Sequence, residues 1–122
     1  MIEMLSDLPP GVAGFRVSGC LDGDELRHVQ PRLEQMLATG EVRLVEVIAD
    51  DYEGFGPGGL AEDLRLGLDV VLHHHGAFRR IAVVTDKEWV IHALHALAWL
   101  VPGDVALFPL TELDAAARWA AA

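Results

Sequence analysis

The stretch RIAVVT, residues 80–85, decides the fold class of this chain. A β-strand with one face on the core and one face in water alternates apolar and polar side chains. In this stretch apolar residues occupy both alternations, so both faces of the strand need apolar cover. Such a strand is typical of the centre of a parallel sheet that has helices packed on either face. We therefore expect an α/β fold with residues 80–85 near its centre.

Strand-like and helix-like patterns alternate on both sides of this central strand. Strands are predicted at residues 1–8, 12–19, 42–49, 80–85 and 104–108. Helices are predicted at residues 22–39, 60–75, 87–101 and 113–121. Short apolar strands that alternate with helical patterns indicate right-handed crossovers and parallel pairing. The prediction is a single α/β domain over residues 1–122, with a mostly parallel sheet of about five strands and about four helices.

Two residues interrupt the predicted elements. Pro31 lies inside the helix predicted at 22–39 and removes one of its hydrogen bonds, so a kink or two short helices are expected. Glu46 lies inside the strand predicted at 42–49, and its charge indicates that one face of this strand is less covered.

The composition excludes several classes of function. Nine Lys and Arg residues against nineteen Asp and Glu give a formal net charge of −10, which repels nucleic-acid phosphates and anionic membrane surfaces. Cys20 is the only cysteine, so no internal disulfide forms and a reducing compartment is expected. The N-terminus is acidic without a long apolar core, and the apolar run around 89–101 is too short to span a bilayer. We expect a cytoplasmic protein that binds neither nucleic acid nor membranes.

The stretch GFGPGG, residues 54–59, has the Gly-x-Gly-x-x-Gly spacing of dinucleotide-binding loops. In those folds a tight turn leads from the strand to the first glycine, and the pyrophosphate meets the next helix. Here residues 49–53 separate the strand from Gly54, so the turn is not tight. Carboxylates flank the glycines on both sides, and the first nearby cation is Arg65. The sequence therefore favours a surface loop over a nucleotide site, and no cofactor is predicted.

This loop nevertheless lies at the sheet edge where ligands of open α/β folds bind. Tyr52 and Phe55 are aromatic residues in a polar loop, where they either pack down as anchors or cover a cleft. The candidate residues at this edge are Asp50, Tyr52, Phe55, Gly58, Gly59 and Asp86.

Asp50 and Asp86 follow two predicted strands and are the acidic candidates at this edge. A carboxylate pair there could bind Mg²⁺ or act as acid and base. No nucleophile or partner base accompanies the pair, and a capping role in the first turn of the helix at 87–101 fully accounts for Asp86. No catalytic residue is predicted.

Histidines occur in two groups. His73–His75 precede Gly76, where imidazoles favour the negative end of a helix dipole, so a helix C-terminus is the expected role. Glu88, His92, His95 and Trp99 follow helical spacing and form one stripe. Glu88 and His95 are two turns apart, about 10 Å, which is too far for both to reach one ion, so no metal site is predicted.

The helix at 87–101 is apolar nearly all round. Val90, Ala93, Leu94, Leu97 and Val101 form the expected core face. The opposite face carries the candidate interface residues Trp89, His92, His95 and Trp99. An apolar patch with Trp and His usually marks an interface or a ligand groove, unless another element of the chain covers it. We expect self-association through this face, most simply as a two-fold dimer.

Several phrases of the chain resemble the SpoIIAA-like proteins, relatives of STAS domains (sulfate transporter and anti-sigma-factor antagonist) that share a fold class with CRAL-TRIO lipid carriers. The phrases are LPPGVAGFRVSGCL, PRLEQML, RIAVVTDKEWV and VPGDVALFPLTELDAAARW. The resemblance implies a small α/β domain whose N-terminal antiparallel strand joins parallel strands. Anti-sigma-factor antagonists carry a phosphorylatable serine at the start of the helix after the third strand. The matching stretch, GPGGLAED at 56–63, has no Ser or Thr, so that switch does not carry over.

These observations leave three hypotheses about function. The first is a non-enzymatic binding or regulatory module that acts through protein–protein association, as a homodimer or with another protein. The second is a carrier of a small apolar or lipid-like ligand. The third is a nucleotide or anion binder at the glycine loop.

Overall fold

The computed structural model describes residues 1–59, 61–63, 65–66, 76–97 and 103–122, with the backbone only at Leu97. The strands are β1 (Ile2–Met4), β2 (Val12–Val17), β3 (Cys20–Leu21), β4 (Val42–Ile48), β5 (Gly54–Phe55), β6 (Phe78–Val84) and β7 (Asp104–Phe108). The helices are α1 (Gly23–Ala38), α2 (described at residues 59, 61–63 and 65–66), α3 (Glu88–Leu97) and α4 (Leu113–Ala121), with a short 3-10 turn at Leu110–Glu112.

The main sheet has five strands in the order β1-β2-β4-β6-β7. β1 is antiparallel to β2, and every other neighbouring pair is parallel. β6 lies between β4 and β7, and its residues Ala82, Val83 and Val84 are buried. The predicted α/β class and the N-terminal antiparallel strand are confirmed, and residues 80–84 lie in an interior strand next to the middle strand β4.

Helices cover the two faces of the sheet unequally. The parallel strands follow one another in a single direction across the sheet, so right-handed crossovers place α1, α2 and α3 on the same face. There Leu26 of α1, Leu66 of α2 and Val90 of α3 pack with strand residues such as Ile48 and Val83. α4 follows the last strand and packs its small residues on the other face, against Val45, Val47, Ala82 and Val84.

α1 begins with a capping box. The Asp22 carboxylate accepts a hydrogen bond from the Glu25 amide at 3.0 Å, and the Glu25 carboxylate accepts one from the Asp22 amide at 3.3 Å. The helix is continuous through Pro31, so the alternative of two short helices is wrong. Buried Leu26 and Leu37 hold the turns before and after Pro31 on the sheet, and this packing offsets the one hydrogen bond that proline removes.

The C-terminus of α4 is bound by two arginines of the sheet. Arg43 donates to the Ala120 carbonyl at 2.9 Å and Arg80 donates to the Trp119 carbonyl at 2.8 Å. The Arg80 guanidinium also lies 5.0 Å from the centroid of a Trp119 ring. Cations at the end of a helix satisfy its last carbonyls and interact favourably with its dipole, so these arginines fix α4 on the sheet.

Two features of the sheet differ from the sequence prediction. The first strand ends at Met4 rather than at residue 8: the Leu5 amide still donates to the Gly14 carbonyl at 2.9 Å, and Leu5 and Leu8 pack against the core cluster beneath α4. β3 and β5 form a separate parallel pair of two residues each, which was not predicted. None of the helices described here has the length and apolarity needed to cross a membrane.

Candidate binding site at the carboxyl edge of the sheet

The parallel strands all end at one edge of the sheet, and the segments that follow them form its surface. The loop after β4 contains Asp50, Tyr52 and the glycines, and the segment after β6 contains Asp86. Because β4 and β6 are neighbours in the sheet, the structure brings these sequence-predicted candidates to the same edge. The loop from β2 to α1 joins them there through the β3–β5 pair.

The glycine loop packs closely against the start of α1. Gly54 has a φ of +109°, a conformation that favours glycine. The Gly56 amide donates to the Leu21 carbonyl at 2.9 Å, and the Gly23 amide donates to the Pro57 carbonyl at 3.1 Å. At Gly59 a Cβ atom would lie 2.0 Å from the Leu21 carbonyl oxygen. The glycines therefore allow two backbone segments to approach each other.

Backbone amides of this loop and of the start of α2 donate hydrogen bonds to carbonyls of the protein itself. The Gly59 amide donates to the Gly56 carbonyl at 3.0 Å, and the Glu62 amide donates to the Gly58 carbonyl at 3.1 Å. Arg65, the cation nearest to the glycines in sequence, binds the buried Glu62 carboxylate, and this contact lowers the pKa of Glu62. Close packing thus accounts for the glycine spacing that dinucleotide-binding loops share.

Tyr52 and Trp89 form a stacked pair that joins the loop to α3. Their ring centroids are 6.0 Å apart with an interplanar angle of 21°. Tyr52 is 7% exposed and belongs to the core cluster, so it packs down as an anchor. Phe55 does not pack down in this way, since 41% of its surface is exposed. Trp89 is 54% exposed, so part of its surface faces solvent at this edge.

Two carboxyl groups lie close to Tyr52 on the face of the sheet that α1, α2 and α3 cover. Glu46 is half-buried between buried Leu44 and Ile48, and desolvation together with the negative charge of Asp63 raises the pKa of Glu46 to about 7. Asp63 of α2 keeps solvent contact, yet partial desolvation raises its pKa too. The predicted less covered face is borne out in degree: Leu44 and Ile48 beside Glu46 are 9% and 8% exposed, against 0% and 2% for Val45 and Val47 on the other face.

Both carboxylates affect the pKa of the Tyr52 hydroxyl. Burial raises the pKa of the Tyr52 hydroxyl first, and the nearby charges of Glu46 and Asp63 raise it further. Neither Asp63 nor Glu46 is among the sequence-predicted candidates for this site. A glutamate within a mostly apolar strand was the only signal in the sequence that could have identified the group.

Cys20 lies at the same edge, in β3. Its thiol donates to the Glu53 carboxylate at 3.5 Å, and this hydrogen bond, with desolvation, raises the pKa of Cys20. A raised pKa keeps the sulfur as a neutral thiol at neutral pH, which disfavours nucleophilic chemistry at this exposed residue.

Asp86 has a different partner from the one expected. The sequence predicts that it caps α3, but its carboxylate accepts a hydrogen bond from the Leu110 amide at 3.0 Å. The Lys87 amide, at the start of α3, donates to the Thr85 hydroxyl at 3.1 Å. β6 and β7 are adjacent, so the residues after their carboxyl ends meet although they are far apart in sequence. Asp86 therefore connects the ends of two strands.

The outer face of α3 is exposed where the structure describes it. Trp89, His92 and His95 are exposed, as the helical spacing predicts, while Val90 is buried and Leu94 is half-buried on the core face. Ala93 was assigned to the core face but is exposed, because it lies at the border of the two faces. Trp99, Val101, the Leu97 side chain and His73–His75 lie outside the described residues. Within the described ranges, no group of three potential ligands could hold a metal ion.

Comparison with known proteins identifies the family but not the activity. A comparison with curated proteins gives no match. The chain is similar in structure to an uncharacterised protein of the DUF3478 family from Shewanella loihica PV-4, which has a SpoIIAA-like fold. The two structures superpose with a TM-score of 0.78 at 23% sequence identity, and the match covers 97% of this chain and 92% of that chain. The profile of the SpoIIAA-like family matches residues 12–121, nearly the whole chain. The chain belongs to the SpoIIAA-like family.

Proposed function

We propose that this SpoIIAA-like protein is a non-enzymatic binding module that acts through protein–protein association on the exposed side of α3. The observation that carries this proposal is Trp89, which is 54% exposed although tryptophan is among the most apolar side chains. Exposed tryptophans are enriched in the centres of protein interfaces, where they fill pockets of the partner. His92 and His95 continue the same exposed face along the helix.

The association works without a phosphorylation switch. The loop and helix start at residues 56–63 contain no serine or threonine, so the regulatory chemistry of anti-sigma-factor antagonists has no acceptor at this position. The raised pKa of Cys20 keeps its thiol neutral, so it is not activated as a nucleophile. The Asp86 carboxylate already accepts a hydrogen bond from the Leu110 amide, which gives it a structural role. These features favour recognition over reaction at this edge.

The simplest form of the association is a two-fold dimer that covers the α3 face of both copies. Trp89→Glu replaces the exposed tryptophan of that face by a charge, and desolvation of this side chain in the dimer makes the cost at least about 2 kcal/mol, or about thirtyfold in the dissociation constant. Sedimentation equilibrium at micromolar concentration is expected to show a wild-type dimer and a Trp89→Glu monomer.

Met4→Glu is the matched control, since Met4 is 45% exposed on β1, at the far edge of the sheet. This variant is expected to remain dimeric. A monomeric wild type would contradict self-association, and dissociation by Met4→Glu alone would move the interface to β1.

A second candidate function, carriage of a small apolar ligand, is favoured by a groove at the opposite edge of the sheet. The groove has a volume of about 690 Å³; Met4, Leu8, Val12 and Met36 line its apolar part, and charged residues that include Arg32 and Glu41 line other parts of it. Native mass spectrometry of the purified protein distinguishes the two candidates, because a carrier retains a copurified small molecule and a protein-binding module does not.

A further inference from the structure

The exposed tryptophan of the candidate site has one covered and one open side. Tyr52 stacks against Trp89 with nearly parallel rings, and Trp89 remains 54% exposed. The face of an indole ring carries partial negative charge and attracts a cation placed within about 6 Å of its centre. An open indole face supported from behind by a second aromatic ring is therefore suited to a cationic group.

Exposed carboxylates adjoin both aromatic residues of this stacked pair in sequence. Asp50, Asp51 and Glu53 come from the loop that carries Tyr52, and Glu88 directly precedes Trp89; all four are exposed. Among the described residues, no ion pair neutralises Asp50, Asp51 or Glu88. Lys87 is the single cation in the described segments 49–59 and 85–89. The local field therefore attracts positive charge to the indole.

We propose that this acidic and aromatic surface, made of Trp89, Phe55, Asp50, Asp51 and Glu88, binds a lysine- or arginine-rich segment of a partner protein. One basic side chain of the partner lies over the open face of Trp89, and these carboxylates attract its neighbours. Phe55, which is 41% exposed, provides apolar contact for the methylene stem of a second basic side chain. The inference rests on the proposed function and specifies the chemistry of the partner.

Charge complementarity favours this occupant over the alternatives. A second copy of the chain brings the same carboxylates and a net charge of −10, so a dimer of the α3 faces leaves these charges uncompensated, whereas a basic segment neutralises them. A nucleic acid or an anionic lipid headgroup is repelled by these charges. A bare metal ion needs converging ligands, and the described residues offer no group of three.

The test uses a fluorescein-labelled peptide of alternating arginine and glycine, with a control peptide in which citrulline replaces arginine. Citrulline keeps the shape of the side chain but has no charge. Fluorescence anisotropy with the full-length protein is expected to show binding of the arginine peptide at low salt, weakening as salt increases, and no binding of the citrulline peptide. Trp89→Leu keeps apolar cover over Tyr52 but removes the ring, and is expected to weaken binding about tenfold.

Charge variants separate local recognition from net charge. Asp50→Asn with Asp51→Asn is expected to weaken binding about tenfold. Asp7→Asn with Asp104→Asn makes the same change in charge at the opposite edge of the sheet and is expected to leave binding within about twofold. Equal losses in the two double variants, full binding by Trp89→Leu, or equal binding of the citrulline peptide would each overturn the inference.

Sedimentation of the same proteins distinguishes this result from self-association. The Asp50→Asn, Asp51→Asn variant is expected to keep the oligomeric state of the wild type. A monomeric wild type that binds the peptide through Trp89 would contradict the proposed dimer and support the inference. A dimer that ignores the arginine peptide would overturn the inference and leave self-association in place.

Discussion

Glu46→Gln is expected to raise the free energy of unfolding by about 3 kcal/mol at pH 8 and to leave it nearly unchanged at pH 4. The pKa of Glu46 rises from 4.5 to about 7 in the folded protein, mainly because burial disfavours its charged form. In the unfolded chain this carboxyl ionises freely. Above pH 7 the folded protein must therefore hold a poorly solvated charge beside Asp63, and glutamine removes that charge while keeping a similar shape.

The sign of the pH dependence follows from proton uptake. Between pH 4.5 and about 7 the folded state binds more protons at Glu46 than the unfolded state does, so the stability of the wild type decreases as the pH rises through this range. Below pH 4.5 the carboxyl is protonated in both states, and above pH 7 it is ionised in both. The contribution of Glu46 is thus constant outside the window.

Urea denaturation of the wild type and Glu46→Gln between pH 4 and pH 8 measures this effect. The control is Glu3→Gln, which changes an exposed glutamate on β1 and is expected to alter stability by less than about 0.5 kcal/mol. Parallel pH profiles for the wild type and Glu46→Gln would show that the pKa of Glu46 is the same in the folded and unfolded states, contrary to our prediction.

Gly59→Ala is expected to lower the free energy of unfolding by about 3 kcal/mol, or to prevent folding. Its methyl group would lie 2.0 Å from the Leu21 carbonyl oxygen, which is backbone and which also accepts the Gly56 amide. The clash between this methyl group and the Leu21 carbonyl is relieved only if the loop moves away from β3. That movement would break the hydrogen bonds that join this loop to the start of α1.

Gly56→Ala is the matched control, because it makes the same chemical change three residues earlier in the same loop. Its Cβ would lie 3.4 Å from the nearest side-chain atoms, an ordinary van der Waals contact, and the Gly56 φ is not in the left-handed region. Thermal denaturation of both variants is expected to show a large loss for Gly59→Ala and a change within about 1 kcal/mol for Gly56→Ala. Similar losses would mean that backbone freedom, rather than close approach to Leu21, requires these glycines.

Features that depend on neighbouring residues in sequence were predictable. The alternation of strands and helices, the apolar residues of β6 on both faces and the exposed Trp89, His92 and His95 follow from periodicity, because burial repeats with the geometry of each element. The Asp22 cap of α1 also arises locally, since its partner Glu25 is three residues away. The continuity of α1 through Pro31 was not predictable in this way, because it depends on packing against the sheet.

The sequence by itself determined the class of the fold, the acidic charge and the absence of a phosphorylatable residue at the start of α2. Only the tertiary structure decided which residues meet at the carboxyl edge. Asp86 binds Leu110, Tyr52 stacks on Trp89, and Gly59 approaches Leu21. These partners are separated by more than twenty residues, so no local pattern encodes them. The raised pKa of Glu46 has the same origin, because desolvation depends on every element that covers a residue.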